Sequence, residues 1–200
     1  MVDGSLQLFP ADWVRPLDVA GCYGRDTGPL EVDLGCGKGR FLLARAAAHP
    51  ETAFLGVELK AGRVEKVERK ARKAGLSNVR LLHADACYAV SYLLPPASVA
   101  VYYLFFPDPW PKRRHHRRRL FDPVFLDALD RTLVPEGRLH VATDFPDYYE
   151  AIRNTLARDA RFDAVPPFTP CGEEQTDFER LFLGQGKTIG RASFRKRPRG

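Results

Sequence analysis

From residue 30 onward, short runs rich in β-branched and aromatic residues alternate with stretches whose apolar residues recur every three or four positions. The first pattern predicts strands over residues 30–34, 53–57, 79–83, 99–105 and 138–143, and the second predicts helices over 38–49, 61–75, 86–94, 121–133 and 148–159. The run VAVYYLFF at 99–106 is apolar without alternation, as a strand buried on both faces should be. In the helix over 61–75, Val64, Val67, Ala71 and Ala74 form one core-facing stripe. Strand–helix–strand at this rhythm implies a parallel sheet covered by helices on both faces. Residues 161–165 and 188–195 read as two further strands joined by a Pro- and Gly-containing connection, closing the sheet with an antiparallel strand near the C-terminus. The expected fold is α/β, doubly wound, with a mostly parallel seven-stranded sheet. A segment over residues 1–29, to which no structure is assigned, precedes a single domain over 30–200.

Composition narrows the class. The 200 residues are 44% hydrophobic and 28% charged, near globular averages, which excludes disordered and fibrous chains. The longest apolar stretch, residues 97–106, is about half of the ~20 residues a membrane span needs. The first thirteen residues carry Asp3 and Asp12 and lack the charged and apolar regions of a signal peptide, so a cytoplasmic address is expected. Cys22, Cys36, Cys87 and Cys171 are far apart with no metal-ligand spacing, and four reduced thiols and no metal are expected. The net charge is +6, unevenly spread. Residues 112–119 read KRRHHRRR, whereas the Lys/Arg cluster over 60–73 is interrupted by Glu65 and Glu68, as on a solvated helix face.

The candidate chemistry begins at Asp33-Leu34-Gly35-Cys36-Gly37-Lys38-Gly39, at the carboxyl end of the first of the main strands. Alternate glycines permit a tight turn and close approach of a ligand to backbone. The loop lacks the last glycine of a dinucleotide fingerprint, since position 40 is Arg, and the Ser/Thr a P-loop needs after Gly-Lys. Glu58 ends the second main strand, where an acid can accept both hydroxyls of an adenosine ribose. Asp85 follows the third, placed either to meet an adenine amino group or to cap the next helix, or both. A glycine loop followed by two acids after successive strands describes a nucleoside pocket without a phosphate cradle, the profile of an S-adenosylmethionine site.

After the fourth main strand comes Phe105-Phe106-Pro107-Asp108-Pro109-Trp110-Pro111-Lys112. Prolines cannot continue a central strand, so the chain leaves the sheet here, at the face where the cofactor is expected. An indole can stack on a base, and a carboxylate can accept from the N–H edge of guanine. In company with LGCGKG, FLGVELK, GLSNVRLLHADA, ATDFPDYY and TDFERLFLGQGKTIG, the run FFPDPWPKRRHHRRR closely resembles the bacterial tRNA (guanine-N7)-methyltransferases, over about residues 30–195. The resemblance implies a class I methyltransferase fold, S-adenosyl-L-methionine as cofactor, and methylation of N7 of variable-loop guanine 46 in tRNA; the expected assembly is a monomer or homodimer. It implies that Asp33, Glu58, Asp85 and Asp108 surround the methyl donor, with Asp108 near the chemistry, while Gly35 and Gly37 are expected to bind the cofactor as members of the glycine loop. It further implies that Lys112, Asp144, Thr176, Asp177, Phe178 and Glu179 contact the substrate. One departure is Asp33, where the family carries Glu.

Guanine N7 has an in-plane lone pair and no proton, so no general base is required. Asp108 is then the candidate for orienting the base and stabilising developing positive charge, with Trp110 as a candidate stack. Arg113, Arg114, Arg117, Arg118 and Arg119 are expected on the RNA backbone, while His49, His83 and His140 read as structural. The alternatives are an amino methyltransferase acting on another RNA base, a noncatalytic RNA-binding protein on a methyltransferase fold, and, weakest, an NAD-dependent oxidoreductase.

Overall fold

The computed structural model describes residues 5–24, 30–110, 120–170 and 172–198. Eight strands form one sheet: β1 Gln7–Leu8, β2 Leu30–Leu34, β3 Ala53–Glu58, β4 Val79–His83, β5 Val99–Phe105, β6 Leu133–Thr143, β7 Phe162–Val165 and β8 Gly190–Lys196. Their order across the sheet is β1-β4-β3-β2-β5-β6-β8-β7. All pairings are parallel except those of β8, which runs antiparallel to both β6 and β7. The expected seven-stranded pattern is present, and β1 adds an eighth strand at the edge of β4. Among the described residues seven α-helices accompany the sheet: α1 Val19–Tyr23, α2 Arg40–Ala48, α3 Ala61–Lys73, α4 Ala86–Tyr88, α5 Pro123–Thr132, α6 Pro146–Ala157 and α7 Asp177–Gly184.

The sheet separates two apolar clusters by the period-2 alternation of its strands. Phe54 and Leu81 face Leu42, Ala46, Val64 and Val67 of α2 and α3. Leu55, Val57 and Leu82 face the opposite way, toward the larger cluster that includes Tyr102, Phe125, Leu129, Ile152 and Phe194. Helix starts follow local chemistry. Asp122 accepts from the Phe125 amide at 2.8 Å to cap α5, and Pro123 and Pro146 open α5 and α6, where a missing N–H costs nothing.

Four differences from the sequence reading have identifiable causes. In α3, Val64, Val67 and Ala71 are buried, but Ala74 is exposed because the helix ends at Lys73 and the chain turns through Gly75 in a left-handed conformation. The helix expected over 86–94 is α4 continued as a π-helical turn, Ala89–Leu93, around which the Arg131 guanidinium donates to the carbonyls of Val90, Ser91 and Leu94. Strand β6 starts five residues early, because Leu133 already pairs with Val99 before a register shift carries Arg138 opposite Val101. The connection expected between the last two strands contains α7. Thr176 caps it by accepting from the Glu179 amide at 2.9 Å, and Gly186, in a left-handed conformation, ends it. The Gly186 amide donates to Leu183 O and the Lys187 amide to Phe182 O, the paired bonds of a Schellman C-terminus.

Candidate active site

Strand order decides where a site can form. Strand β2 is flanked by β3 on one side and β5 on the other, and the chain reverses its direction of travel across the sheet there, leaving a crevice at the carboxyl ends of the strands. Strands β4, β3, β2 and β5 lie side by side, so Asp85, Glu58, Asp33 and Asp108, each at or just beyond a strand's carboxyl end, are gathered along one rim.

The glycine loop is tied to β3. Gly35 and Cys36 both donate to Val57 O, at 2.8 and 3.0 Å, and Gly39 donates back to Cys36 O at 2.9 Å. Gly35 has φ +80°, and a Cβ placed on it would point into open space within the crevice, so backbone is what a ligand meets there. Gly39 is required for packing: a Cβ there would lie 2.6 Å from a Val67 methyl of α3.

Glu58 is buried. Its Oε2 accepts from the Gly37 amide at 3.0 Å and its Oε1 from the Lys60 amide at 2.9 Å, while Arg63 Nη1 stands 3.4 Å from Oε2. The carboxylate fixes the loop and still has lone pairs for a diol. Asp33, 5% exposed, is held up at about pH 7 by burial and then by the neighbouring charge of Glu58. Asp85 is exposed and caps α4 through the Tyr88 amide at 3.0 Å, which accounts for one of its oxygens.

Phe106 directly follows β5, its amide donating to Ala142 O at 2.7 Å and its φ at +53°. Trp110 has φ +43°. Two non-glycine residues in the left-handed region within five positions, at a cost of about 1–3 kcal/mol each, mark a turn held by its surroundings around the exposed Asp108. Lys112, Arg113, Arg114, Arg117, Arg118 and Arg119 lie outside the described residues.

Asp144 follows β6 and pairs with Lys187 Nζ at 2.7 Å. Of the segment over 176–179, Thr176 caps α7, Asp177 begins it, and Glu179 is buried and paired with Arg191 of β8. Phe178 is 49% exposed and lies near Phe106, centroids 6.1 Å apart, and near Phe182, 5.8 Å apart and nearly parallel. Ion pairs Arg40–Glu173 and Arg45–Glu174 hold the turn before α7 against α2. Arg63, Phe106, Phe182 and Lys187 were not singled out in the sequence. Arg63 sits in a cluster read as a solvated face, and the Gly-Lys pair at 186–187 was the available sign of a helix end that aims a cation.

The histidine reading holds for His140, which is buried, pairs with Ser193 Oγ at 2.7 Å, and is held down at about 4 by burial and by Arg138 and Arg45. Among the described residues no group of side chains is arranged to hold a metal, and no helix is long and apolar enough to cross a membrane.

Comparison with known proteins agrees with this architecture. A family described as "Putative methyltransferase" matches residues 27–192. A tRNA (guanine-N(7)-)-methyltransferase of Halorhodospira halophila (strain DSM 244 / SL1) is 43% identical over 189 residues, covering 91% of this chain and 80% of its own length. One of the same name from Alkalilimnicola ehrlichii (strain ATCC BAA-1101 / DSM 17681 / MLHE-1) is 38% identical over 187 residues, covering 92% and 78%. The crystal structure of the 16S rRNA methyltransferase KamB shares the fold with a TM-score of 0.64 at 18% identity, over 86% of this chain and 89% of that one. With the strand order, the glycine loop and the rim of acids in place, identity at this level along nine-tenths of the sequence leaves one assignment: the chain belongs to the tRNA (guanine-N(7)-)-methyltransferase family.

Proposed function

We propose that this protein methylates N7 of a guanine in tRNA, with S-adenosyl-L-methionine as methyl donor and guanine 46 of the variable loop as target. The observation that carries the reading is the gathering of Asp85, Glu58, Asp33 and Asp108 at the carboxyl ends of four adjacent strands, above a glycine loop whose first member presents bare backbone. The donor set fits a nucleoside bearing an amino-acid tail. Glu58 keeps acceptor capacity for a ribose diol, Asp85 has a second oxygen for an exocyclic amine, and Asp33 is a carboxyl that a cationic group would draw into its charged form. When bound, the cofactor supplies an electrophilic methyl.

The work left to the chain is positioning. The nucleophile has its lone pair ready, so no residue has to remove a proton from it, and orientation of reacting groups alone supplies up to ~7–11 kcal/mol. Asp108, exposed on its rigid turn, accepts from the guanine N1–H and amino group and holds the ring in register with the crevice. Its negative charge then favours the product, in which the base is a cation. Asp144, one strand over, offers a second carboxylate to the same edge, and the cation-rich run over 112–119 that directly follows the turn takes backbone phosphates.

The test is incubation of bulk unmodified tRNA with methyl-labelled donor, followed by nucleoside analysis. Label in 7-methylguanosine, mapping to the variable loop, is expected. Label in N6-methyladenosine or N4-methylcytidine would assign the site to amino methylation, and no transfer with retained tRNA binding would make it a noncatalytic RNA-binding protein.

A further inference from the structure

The C-terminal end of α7 aims a cation at the rim of the crevice. The Schellman bonds at Gly186 and Lys187 fix the Lys187 backbone against Phe182 O, and the Lys187 ammonium returns over the same residue's ring, 4.2 Å from its centroid. One donor engages Asp144 Oδ2 at 2.7 Å, while the side chain remains about half exposed. An ammonium has three donors, so this one is pre-positioned with capacity left over. Beside it, Phe106, Phe178 and Phe182 make an aromatic shelf with a Phe178 ring open to solvent. A fixed cation next to an exposed aromatic face matches the two chemistries of an unpaired nucleotide, phosphate and base.

We propose that Lys187 is a tRNA phosphate contact, distinct from the basic run over 112–119, and that it takes the backbone phosphate of a nucleotide whose base lies on the Phe178–Phe182 shelf. Phosphate capture by Lys187 also loosens its hold on Asp144, freeing that carboxylate for the base edge. The second clause rests on the proposed function; the phosphate contact itself requires only that the protein binds tRNA.

The experiment compares wild type, Lys187→Gln and Lys187→Arg in tRNA binding across a salt series, with the thermal midpoint and donor affinity of each variant as folding controls. Loss of one phosphate contact lowers the log–log salt slope by about 0.7–0.9. Lys187→Gln should show that decrease, and Lys187→Arg should restore the slope. An unchanged slope in Lys187→Gln overturns the proposal, whether the methylation rate falls, which would leave Lys187 as a prop for Asp144 alone, or does not. A wild-type protein that binds tRNA with this slope difference but makes no 7-methylguanosine would refute the proposed function while leaving the phosphate contact standing.

Discussion

Asp33→Asn isolates the cost of keeping a carboxyl in the floor of the crevice. In the unfolded chain this group ionises near 3.8, whereas in the folded protein burial, and then the charge of Glu58, hold it up at about 7. Between those values the folded state keeps a proton that the unfolded state has released, so wild-type stability falls with rising pH by about 1.4 kcal/mol per unit from this group. Summed over the interval, the penalty approaches ~4 kcal/mol at pH 8 and vanishes below pH 4. Asparagine keeps the shape of the protonated acid and cannot ionise. Any misfit of its amide is a constant offset, whereas the effect sought is a slope. Urea unfolding of the ligand-free proteins at pH 5, 6, 7 and 8 should show the variant gaining about 2 kcal/mol on wild type between pH 5 and 7, then levelling off. The same substitution should weaken donor binding, because a carboxylate that a cationic ligand would recruit is gone. A stability difference independent of pH would show instead that Asp33 is already ionised in the folded protein across this range.

Glu58→Ala removes an acceptor shared by the Gly37 and Lys60 amides and by the proposed ribose. At about 1.5–3 kcal/mol for hydrogen bonds to a charged group, donor affinity measured by calorimetry should fall roughly 10- to 150-fold, and an unchanged value would take Glu58 out of the site. Asp108→Asn turns two acceptors into an acceptor and a donor facing guanine N–H groups. Single-turnover methylation should slow by about 100- to 1,000-fold with donor and tRNA binding retained, and a wild-type rate on saturating tRNA would reduce Asp108 to a structural turn residue. Arg191→Met leaves the Glu179 carboxylate, 1% exposed, without its cation. It should destabilise the protein by about 3–5 kcal/mol in chemical denaturation, and a loss below 1 kcal/mol would mean that Glu179 finds other partners.

Which parts of this molecule were legible in the sequence follows from how local their causes are. Strand β5 announces itself because VAVYYLF carries no polar interruption and the successive residues Tyr102, Tyr103 and Leu104 are all buried. Strand β1 does not, since two residues gain strand geometry only from pairing with Leu81 and Leu82, far along the chain. Helix α7 was within reach: Thr176 with Glu179 three positions on is a cap signature, and Gly186 is a stop signal, but between Pro- and Gly-containing stretches the segment reads as a connection. The acids of the rim are legible because each lies at or just beyond the carboxyl end of a strand. What they do in the fold was hidden, since Glu58 serves as acceptor for a loop amide and Asp144 as partner of Lys187 only once distant segments meet. The same holds for the Phe106, Phe178 and Phe182 shelf, assembled from the turn after β5 and from α7.

The insertion of β8 between β6 and β7 fixes the order in which the molecule can be completed. During synthesis β6 and β7 emerge first, yet neither pairs with the other in the finished sheet. Until residues 190–196 follow, β6 presents an open edge of unpaired amides and carbonyls beside β5, and β7 has nothing to join. The last sheet strand to leave the ribosome thus seats Lys196 on the carbonyls of Asp130 and Leu133 and brings Arg191 to Glu179. Folding of the α7 side of the crevice therefore waits on residues 190–196, and a nascent chain stalled before residue 190 is the species most in need of chaperone cover.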